Sequence, residues 1–344
     1  MTSLPSADAR PILIVPYMWI GDFVRCHSVV KVLKSRWPDR PVDVLTTALC
    51  RPLADYMPGL RQAILGDLPR SRIALSAQRS LAERLRANSY GLALIMPRTW
   101  KAALAPYLAG IPQRVGFVGE ARFGLLSEWR WGERRLPRMV DRCAALALPE
   151  EATLPAEWPL PELVVPAAEV AAWRERLGLD AARPAVALCP GAVGPSKRWT
   201  ATGYGEIART LTNRGMSVWV IGGPDEARLA GEITSAGGPL ARDLTGPDLR
   251  NAILALAAAK AAVSNDSGLL HVAAALGTPA IGIFGPTSPW YWAPLNPLAA
   301  VIETQTEVPC RPCHKPTCRL RHHRCMRDIP AARVLDAVDR ALAA

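Results

Sequence analysis

Residues 261–276 read AAVSNDSGLLHVAAAL. An apolar run ends at Ser264, three polar residues and Gly268 follow, and a run of small and apolar residues takes over. A short apolar segment of strand length, a polar turn and a helix-length run form the strand–loop–helix step of a doubly wound α/β sheet. We read a strand from Ala262 to Ser264 and a helix from Gly268 to Leu276. The leading N–H groups at Ser267, Gly268 and Leu269 have no acceptor inside such a helix. They can bind phosphate without any cationic side chain. His271 lies one turn in from Ser267 on the same face, placed to donate to that anion; the alternative is a histidine satisfied in the core.

The same alternation extends in both directions. In the C-terminal half we expect strands at 185–189, 218–221 and 280–284, and helices at 203–214, 225–235 and 248–260. Toward the N-terminus the pattern gives strands at 12–15, 42–46 and 92–96 and helices at 23–36 and 71–87. Between them, residues 149–166 hold five prolines, a density that resists helix and central strand alike. This segment reads as a linker joining two doubly wound domains, and 344 residues suit two cores better than one. Ligands of such sheets bind beyond the carboxyl ends of the strands, so the expected site is a cleft between the domains.

Composition narrows the class. The segment PILIVPYMWIG resembles a short signal core, but it has neither a basic run before it nor a small-x-small site after it, and we read it as the first strand. No apolar run approaches the length of about 18 residues that marks a membrane span. Four cysteines, Cys26, Cys50, Cys143 and Cys189, are scattered in apolar contexts, which suits buried thiols in a reducing cytosol. The net charge of +11 draws anions to the molecule, although charge alone does not choose among nucleotides, phosphosugars, acidic membrane and nucleic acid. The Gly-x-Gly-x-x-Gly and Walker A patterns are absent after the first strand, and Ser267 sits in no Gly-x-Ser-x-Gly elbow. These absences disfavour dinucleotide oxidoreductases, P-loop NTPases and α/β-hydrolases.

The strand-to-helix loops carry the chemistry. In VPYMWIGDFV, Asp22 stands at a helix start, where it is either an N-cap or a carboxylate able to take a proton from a hydroxyl. In CPGAVGPSKRW, Lys197 and Arg198 place a point charge and a planar fork in a rigid glycine-proline loop, which favours an anion site over a solvated pair. IGGPDEAR is accounted for by turn and dipole chemistry, and GIFGPTSPW reads as a second wall of the site.

With these loops in order, the sequence resembles the ADP-heptose:lipopolysaccharide heptosyltransferases, glycosyltransferase family 9, most closely the heptosyltransferase II branch. The resemblance runs through WIGDFVRCHSVVKVL, CRPLADYMPGL, GIPQRVGFVGEARFGLL, PGAVGPSKRW and SNDSGLLHVAAALGTPAIGIFGPTSP. It implies a GT-B fold of two Rossmann-like domains facing a central cleft: an acceptor domain over residues 1–160, a donor domain over 167–328, and a helix at 329–344 returning toward the first. It also implies inverting transfer of heptose from ADP-heptose to a heptosyl-Kdo-lipid A acceptor without a divalent metal. By the same motifs Asp22 is the general base, which reverses the local preference for a cap. Lys197 and Arg198 then face the donor diphosphate, and Asp266, Ser267, Gly268 and His271 complete the donor motif. The Asp266 carboxylate would repel phosphate, so its place is toward sugar hydroxyls or loop structure. Arg98, Lys101 and Arg122 are the cations available to the anionic acceptor. The implied partners are ADP-heptose and a glycolipid of the inner leaflet, met by a cytoplasmic protein touching the membrane peripherally, with no nucleic acid and no catalytic cofactor.

Cys310, Cys313, Cys318 and Cys325 follow as C-x2-C-x4-C-x6-C, interleaved with His314, His322 and His323. Four thiolates at this spacing can close a tetrahedral structural site for zinc; by analogy with related heptosyltransferases that act on proteins, iron is the other metal, and reduced thiols are the alternative to both. The tail keeps two other readings open, heptose transfer to a protein and a basic metal-finger protein binding nucleic acid. Against the last, the basic residues are spread over both halves and form no recognition helix.

Overall fold

The structure is a computed structural model and describes residues 8–66, 68 and 74–343. It divides into two compact units, Met1–Pro161 and Glu162–Ala344. The boundary falls inside the proline-rich segment, where residues 149–166 form neither helix nor strand. Each end of the segment is tied to its own unit. Ser28 Oγ donates to Pro159 O at 2.6 Å and Trp158 Nε1 to Asp141 Oδ1 at 2.7 Å in the first, while Leu163 N donates to Ala275 O at 2.8 Å in the second.

The first unit runs β1 (Ile12–Val15), α1 (Ile20–Arg36), β2 (Val42–Thr46), α2 (Arg51–Ala54), β3 (Gln62–Leu65), α3 (Leu75–Arg86), β4 (Leu92–Ile95), α4 (Trp100–Leu108), β5 (Gln113–Phe117), β6 (Glu128–Arg130) and α5 (Met139–Ala144). Its six strands are all parallel in the order β3-β2-β1-β4-β5-β6. The expected helix at 71–87 is observed from Leu75; residues 71–73 lie outside the described residues.

The second unit runs α6 (Ala167–Arg176), β7 (Ala185–Cys189), α7 (Ala201–Asn213), β8 (Ser217–Val220), α8 (Ala227–Gly237), β9 (Ala241–Asp243), α9 (Leu249–Ala258), β10 (Ala261–Asn265), α10 (Gly268–Ala275), β11 (Ala280–Ile283), α11 (Pro289–Trp292), β12 (Ala299–Ile302), α12 (Arg324–Arg327) and α13 (Ala331–Ala343). The sheet order β12-β11-β10-β7-β8-β9 repeats the first unit's topology. In each unit, therefore, the strand order reverses between the first and fourth strands of the sheet. That reversal is the switch point of a Rossmann-type sheet, beyond whose carboxyl edge ligands bind.

The strands legible in the sequence are the central ones. ILIV, LALI, AVALC and AIGI are buried along their whole length, because helices cover both faces of a parallel sheet. β3, β6, β9 and β12 are edge strands, partly exposed, with sequences QAIL, EWR, ARD and AAVI. QAIL, EWR and ARD offer no apolar run of four and escape a periodicity reading, as does β5, QRVGF, whereas AAVI is apolar throughout and is set apart by its exposure at the edge rather than by its sequence. α13 places Val334, Leu335 and Val338 in the second unit's core, against β10 and α7.

Candidate functional site

In the second unit the switch point lies between β7 and β10, so the loops leaving these strands flank the site. The residue that joins them is Asn265, at the end of β10 and wholly buried. Its Oδ1 accepts from Trp199 N at 3.1 Å and from the Tyr204 hydroxyl at 3.2 Å, and its Nδ2 donates to Pro190 O at 2.6 Å. One amide thus fixes both ends of the β7 loop. Replacing it strands two buried polar groups, Trp199 N–H and the Pro190 carbonyl, each costing about 1–3 kcal/mol when unsatisfied, while the Tyr204 hydroxyl keeps Cys189 O at 3.3 Å. Asn265→Ala is expected to lower the unfolding free energy by about 3 kcal/mol, read by chemical denaturation; a loss below about 1 kcal/mol would remove Asn265 as the joint.

Next to it, Asp266 is buried, and its Oδ2 receives Lys197 Nζ at 2.7 Å and the Thr287 hydroxyl at 2.7 Å. Lys197 ends a 3-10 turn, Pro195–Lys197, and Thr287 belongs to the loop after β11. The carboxylate thereby gathers three loops at one point. These contacts are those of a loop-structuring carboxylate, one of the two alternatives the sequence left open. Lys197 Nζ also lies 5.9 Å from the centre of the Trp292 ring, within cation–π range. Its side chain keeps 30% of its surface exposed, so the ammonium is anchored yet open to solvent.

Ser267 is the N-cap residue of α10, with extended backbone, and it makes no side-chain cap hydrogen bond. Its hydroxyl faces Ser264 Oγ at 3.0 Å instead. The first N–H groups of α10 at Gly268 are left to a ligand or solvent, as a helix-end anion site requires. His271 is buried one turn further on. Arg198 turns away from this group: its Nε donates to Ala192 O at 3.1 Å, and its Nη2 lies 3.7 Å from Glu226 Oε1. Glu226 comes this close because position 191 is glycine; a Cβ there would sit 2.9 Å from the Glu226 carboxyl carbon. Glu226 also accepts from Gly223 N at 2.9 Å, so the loop read as turn chemistry supplies the partner of Arg198.

In the first unit the switch point lies between β1 and β4. Asp22 is in the first turn of α1, but the cap position belongs to Trp19, whose backbone is extended. The local reading of Asp22 as N-cap is thus corrected. Its Oδ1 accepts from Arg25 Nη1 at 2.8 Å, an i,i+3 pair that is largely buried. Nearby, Tyr17 donates from its hydroxyl to Glu133 Oε1 at 3.3 Å, and burial with the adjacent Glu133 charge pushes the phenol well above its ordinary range. Arg98, in the β4 loop, pairs with Glu133 at 3.1 Å and keeps 39% of its side chain exposed. Lys101 is half-buried on α4.

Arg122 departs from expectation. It is buried, and its guanidinium donates to the carbonyls of Pro97 at 2.6 Å, Phe117 at 2.7 Å and Thr99 at 3.3 Å. Burial lowers its pKa to about 10. These bonds brace the β4 loop against β5, a structural duty the sequence did not show. Sequence reasoning passed over Asn265, Thr287, Arg25 and Glu133. Of these only Arg25 carried a sequence signal, its i,i+3 spacing from Asp22.

The cysteine tail is also corrected. All four thiols are free, and among the described residues no group of three or more His, Cys, Asp or Glu side chains could hold a metal ion. Cys325 is buried in the second unit's core beside Met326, which draws it toward packing. Cys310 Sγ lies 3.8 Å from His322 Nε2, and Cys325, its thiol pKa pushed up to about 11 chiefly by burial, feels the charges of Cys310, Cys313 and Cys318. A structural zinc or iron site is not assembled there. Among the described residues no helix is long and apolar enough to cross a membrane.

Two switch-point sites, one built on a carboxylate and the other on a lysine and a helix end, suit a group-transfer enzyme with an anionic leaving group. The chain belongs to glycosyltransferase family 9 (heptosyltransferase), whose pattern matches residues 78–323. It is 35% identical over 342 residues to lipopolysaccharide heptosyltransferase 2 of Escherichia coli K12, covering 95% of this chain and 97% of that one. It is 35% identical over 308 residues to lipooligosaccharide heptosyltransferase 2 of Haemophilus ducreyi, covering 85% of this chain and 88% of the other. The structure of E. coli ADP-heptose lps heptosyltransferase II superposes with a TM-score of 0.85 at 34% identity, covering 97% of this chain and 98% of that one. The two parallel six-stranded sheets with their helices are those of a GT-B glycosyltransferase.

Proposed function

We propose that this protein is a heptosyltransferase II, moving heptose from ADP-heptose to a lipopolysaccharide inner-core acceptor that already carries one heptose. The observation that carries this reading is the 35% identity extending over 95% of the chain to an enzyme of that name. The first unit would hold the acceptor and the second the donor. In the reaction the acceptor oxygen attacks the anomeric carbon, the bond from that carbon to the diphosphate oxygen breaks, and ADP departs with the electron pair. The acceptor's proton passes to Asp22, and a single displacement inverts the anomeric configuration. Charge developing on the diphosphate is met by Lys197 and the α10 N–H groups, the service a divalent metal performs elsewhere. Support for Lys197 in this role is its ammonium, anchored to Asp266 at 2.7 Å and still exposed.

The acceptor is a glycolipid, so the reading includes a cytoplasmic protein resting on the inner leaflet. Phe123, Trp129 and Trp131 are exposed with ring centroids 5.8 and 6.4 Å apart, and Arg134 and Arg135 beside them are exposed, an aromatic and basic surface of the kind that settles at anionic interfaces.

The test presents ADP-heptose with Kdo-lipid A, the same acceptor bearing one heptose, and a protein, with product mass and ADP release recorded. Transfer to the singly heptosylated acceptor, undiminished by EDTA and with the acceptor in anionic vesicles that pellet the protein, is expected. Preference for the bare acceptor moves the protein to another branch, and transfer only to protein replaces the reading.

A further inference from the structure

The cysteine-rich tail grips one residue on three sides. Ser196, immediately before Lys197, is buried, and each of its polar groups is held by residues 315–323. Its N–H donates to Pro316 O at 3.1 Å, its hydroxyl donates to Lys315 O, and its carbonyl accepts from His323 Nε2 at 2.6 Å. A carbonyl can only accept, so His323 must carry its proton on Nε2 to make this contact. Close approach is possible because position 194 is glycine; a Cβ there would meet Pro316 O at 3.2 Å.

The same tail reaches the loop on the other side of Asp266. His314 N donates to Pro286 O at 2.9 Å and Arg311 Nε to Gly285 O at 2.6 Å, next to Thr287. Gly285 in turn admits Met326, whose sulfur would lie 2.2 Å from a Cβ at that position. The loops that deliver Lys197 and Thr287 to one carboxylate are therefore both held from behind by a single segment.

We propose that residues 309–327 are a positioning clamp for the anion-binding lysine, and that His323 is a positioning residue acting through the Ser196 carbonyl. The proposal rests on the donor role assigned to Lys197. A lysine on a glycine-proline loop has a flexible stem and a compact charge; it stabilises a leaving group only if its backbone is fixed in advance. The clamp supplies that fixation without touching the substrate, through the backbone of residues 314–316 and the side chains of Arg311 and His323.

Two measurements on the full-length protein test it. Hydrogen exchange of the peptide spanning residues 190–199 should be faster in His323→Ala than in the parent, with His323→Gln, which keeps an N–H donor, restoring protection and Arg319→Ala leaving it unchanged. ADP titration should show a Kd raised about fivefold in His323→Ala, the effect of one hydrogen bond. Added to Lys197→Ala, the same change should shift the Kd less than about twofold, because the lysine that the clamp positions is already gone. Unchanged exchange in the loop, or losses that multiply in the double variant as for a general weakening of the fold, overturns the proposal. If the parent protein binds no ADP, the donor assignment fails instead, and the exchange measurement alone decides the clamp.

Discussion

Asp22→Asn is expected to lower kcat about 10³-fold, the middle of the range for removing a positioned general base, while the Kd for ADP stays unchanged. The amide keeps the shape of the carboxylate and an oxygen for Arg25, which donates to Asp22 Oδ1 at 2.8 Å, so the first turn of α1 should persist. What is lost is the capacity to accept a proton as the acceptor oxygen forms its new bond. The pH–rate profile provides the sharper reading: an acid limb that belongs to the proposed base should be present in the parent and vanish in the variant. Turnover within about tenfold of the parent would exclude Asp22 as the base.

Lys197→Ala is expected to reduce kcat/KM for the donor by about 10²- to 10³-fold, the scale for removing one preorganised charge from a developing oxyanion. The loss has two parts. The ammonium is gone, and the Asp266 carboxylate it neutralised is left buried with Thr287 as its remaining hydrogen-bond donor, facing an incoming dianion. Like charges so placed repel. The double variant Lys197→Ala with Asp266→Asn should therefore recover about tenfold of the loss. A double variant no better than the single would mean that Asp266 serves the loop alone and that its charge is not felt by the donor. Melting curves of the three proteins separate this from a change in folding.

How much of this was legible in the sequence depends on where each residue stands. Central strands announce themselves, because burial on both faces demands unbroken apolar runs such as ILIV and AVALC. The edge strands EWR and ARD carry no such demand, and their pairing is decided by neighbours distant in the chain. The helix-end site at Ser267 and Gly268 could be seen because helix termini have local rules. Asp22 was placed correctly at a helix start but given the wrong local duty, since Trp19 holds the cap with its backbone alone. Arg122 shows the opposite failure. A cation in a loop reads as surface, and only the fold reveals three carbonyls converging on it. The partners of Lys197 and Ser196 lie far along the chain, Asp266 on one side and residues 315–323 on the other, beyond the reach of any spacing argument.

The repeated strand order gives the two proposed reacting groups a common origin in the topology. Asp22 stands in the first turn of α1, just past β1, and Lys197 in the loop between β7 and α7, each within the opening crossover of its own sheet. The opening crossover thus carries a carboxylate in one unit and an ammonium in the other. Each is anchored by a counter-ion from its own copy, Arg25 or Asp266. On the proposed reading, acceptor and donor chemistry are set by separate units, so substitutions that alter the acceptor should leave the nucleotide-sugar site undisturbed.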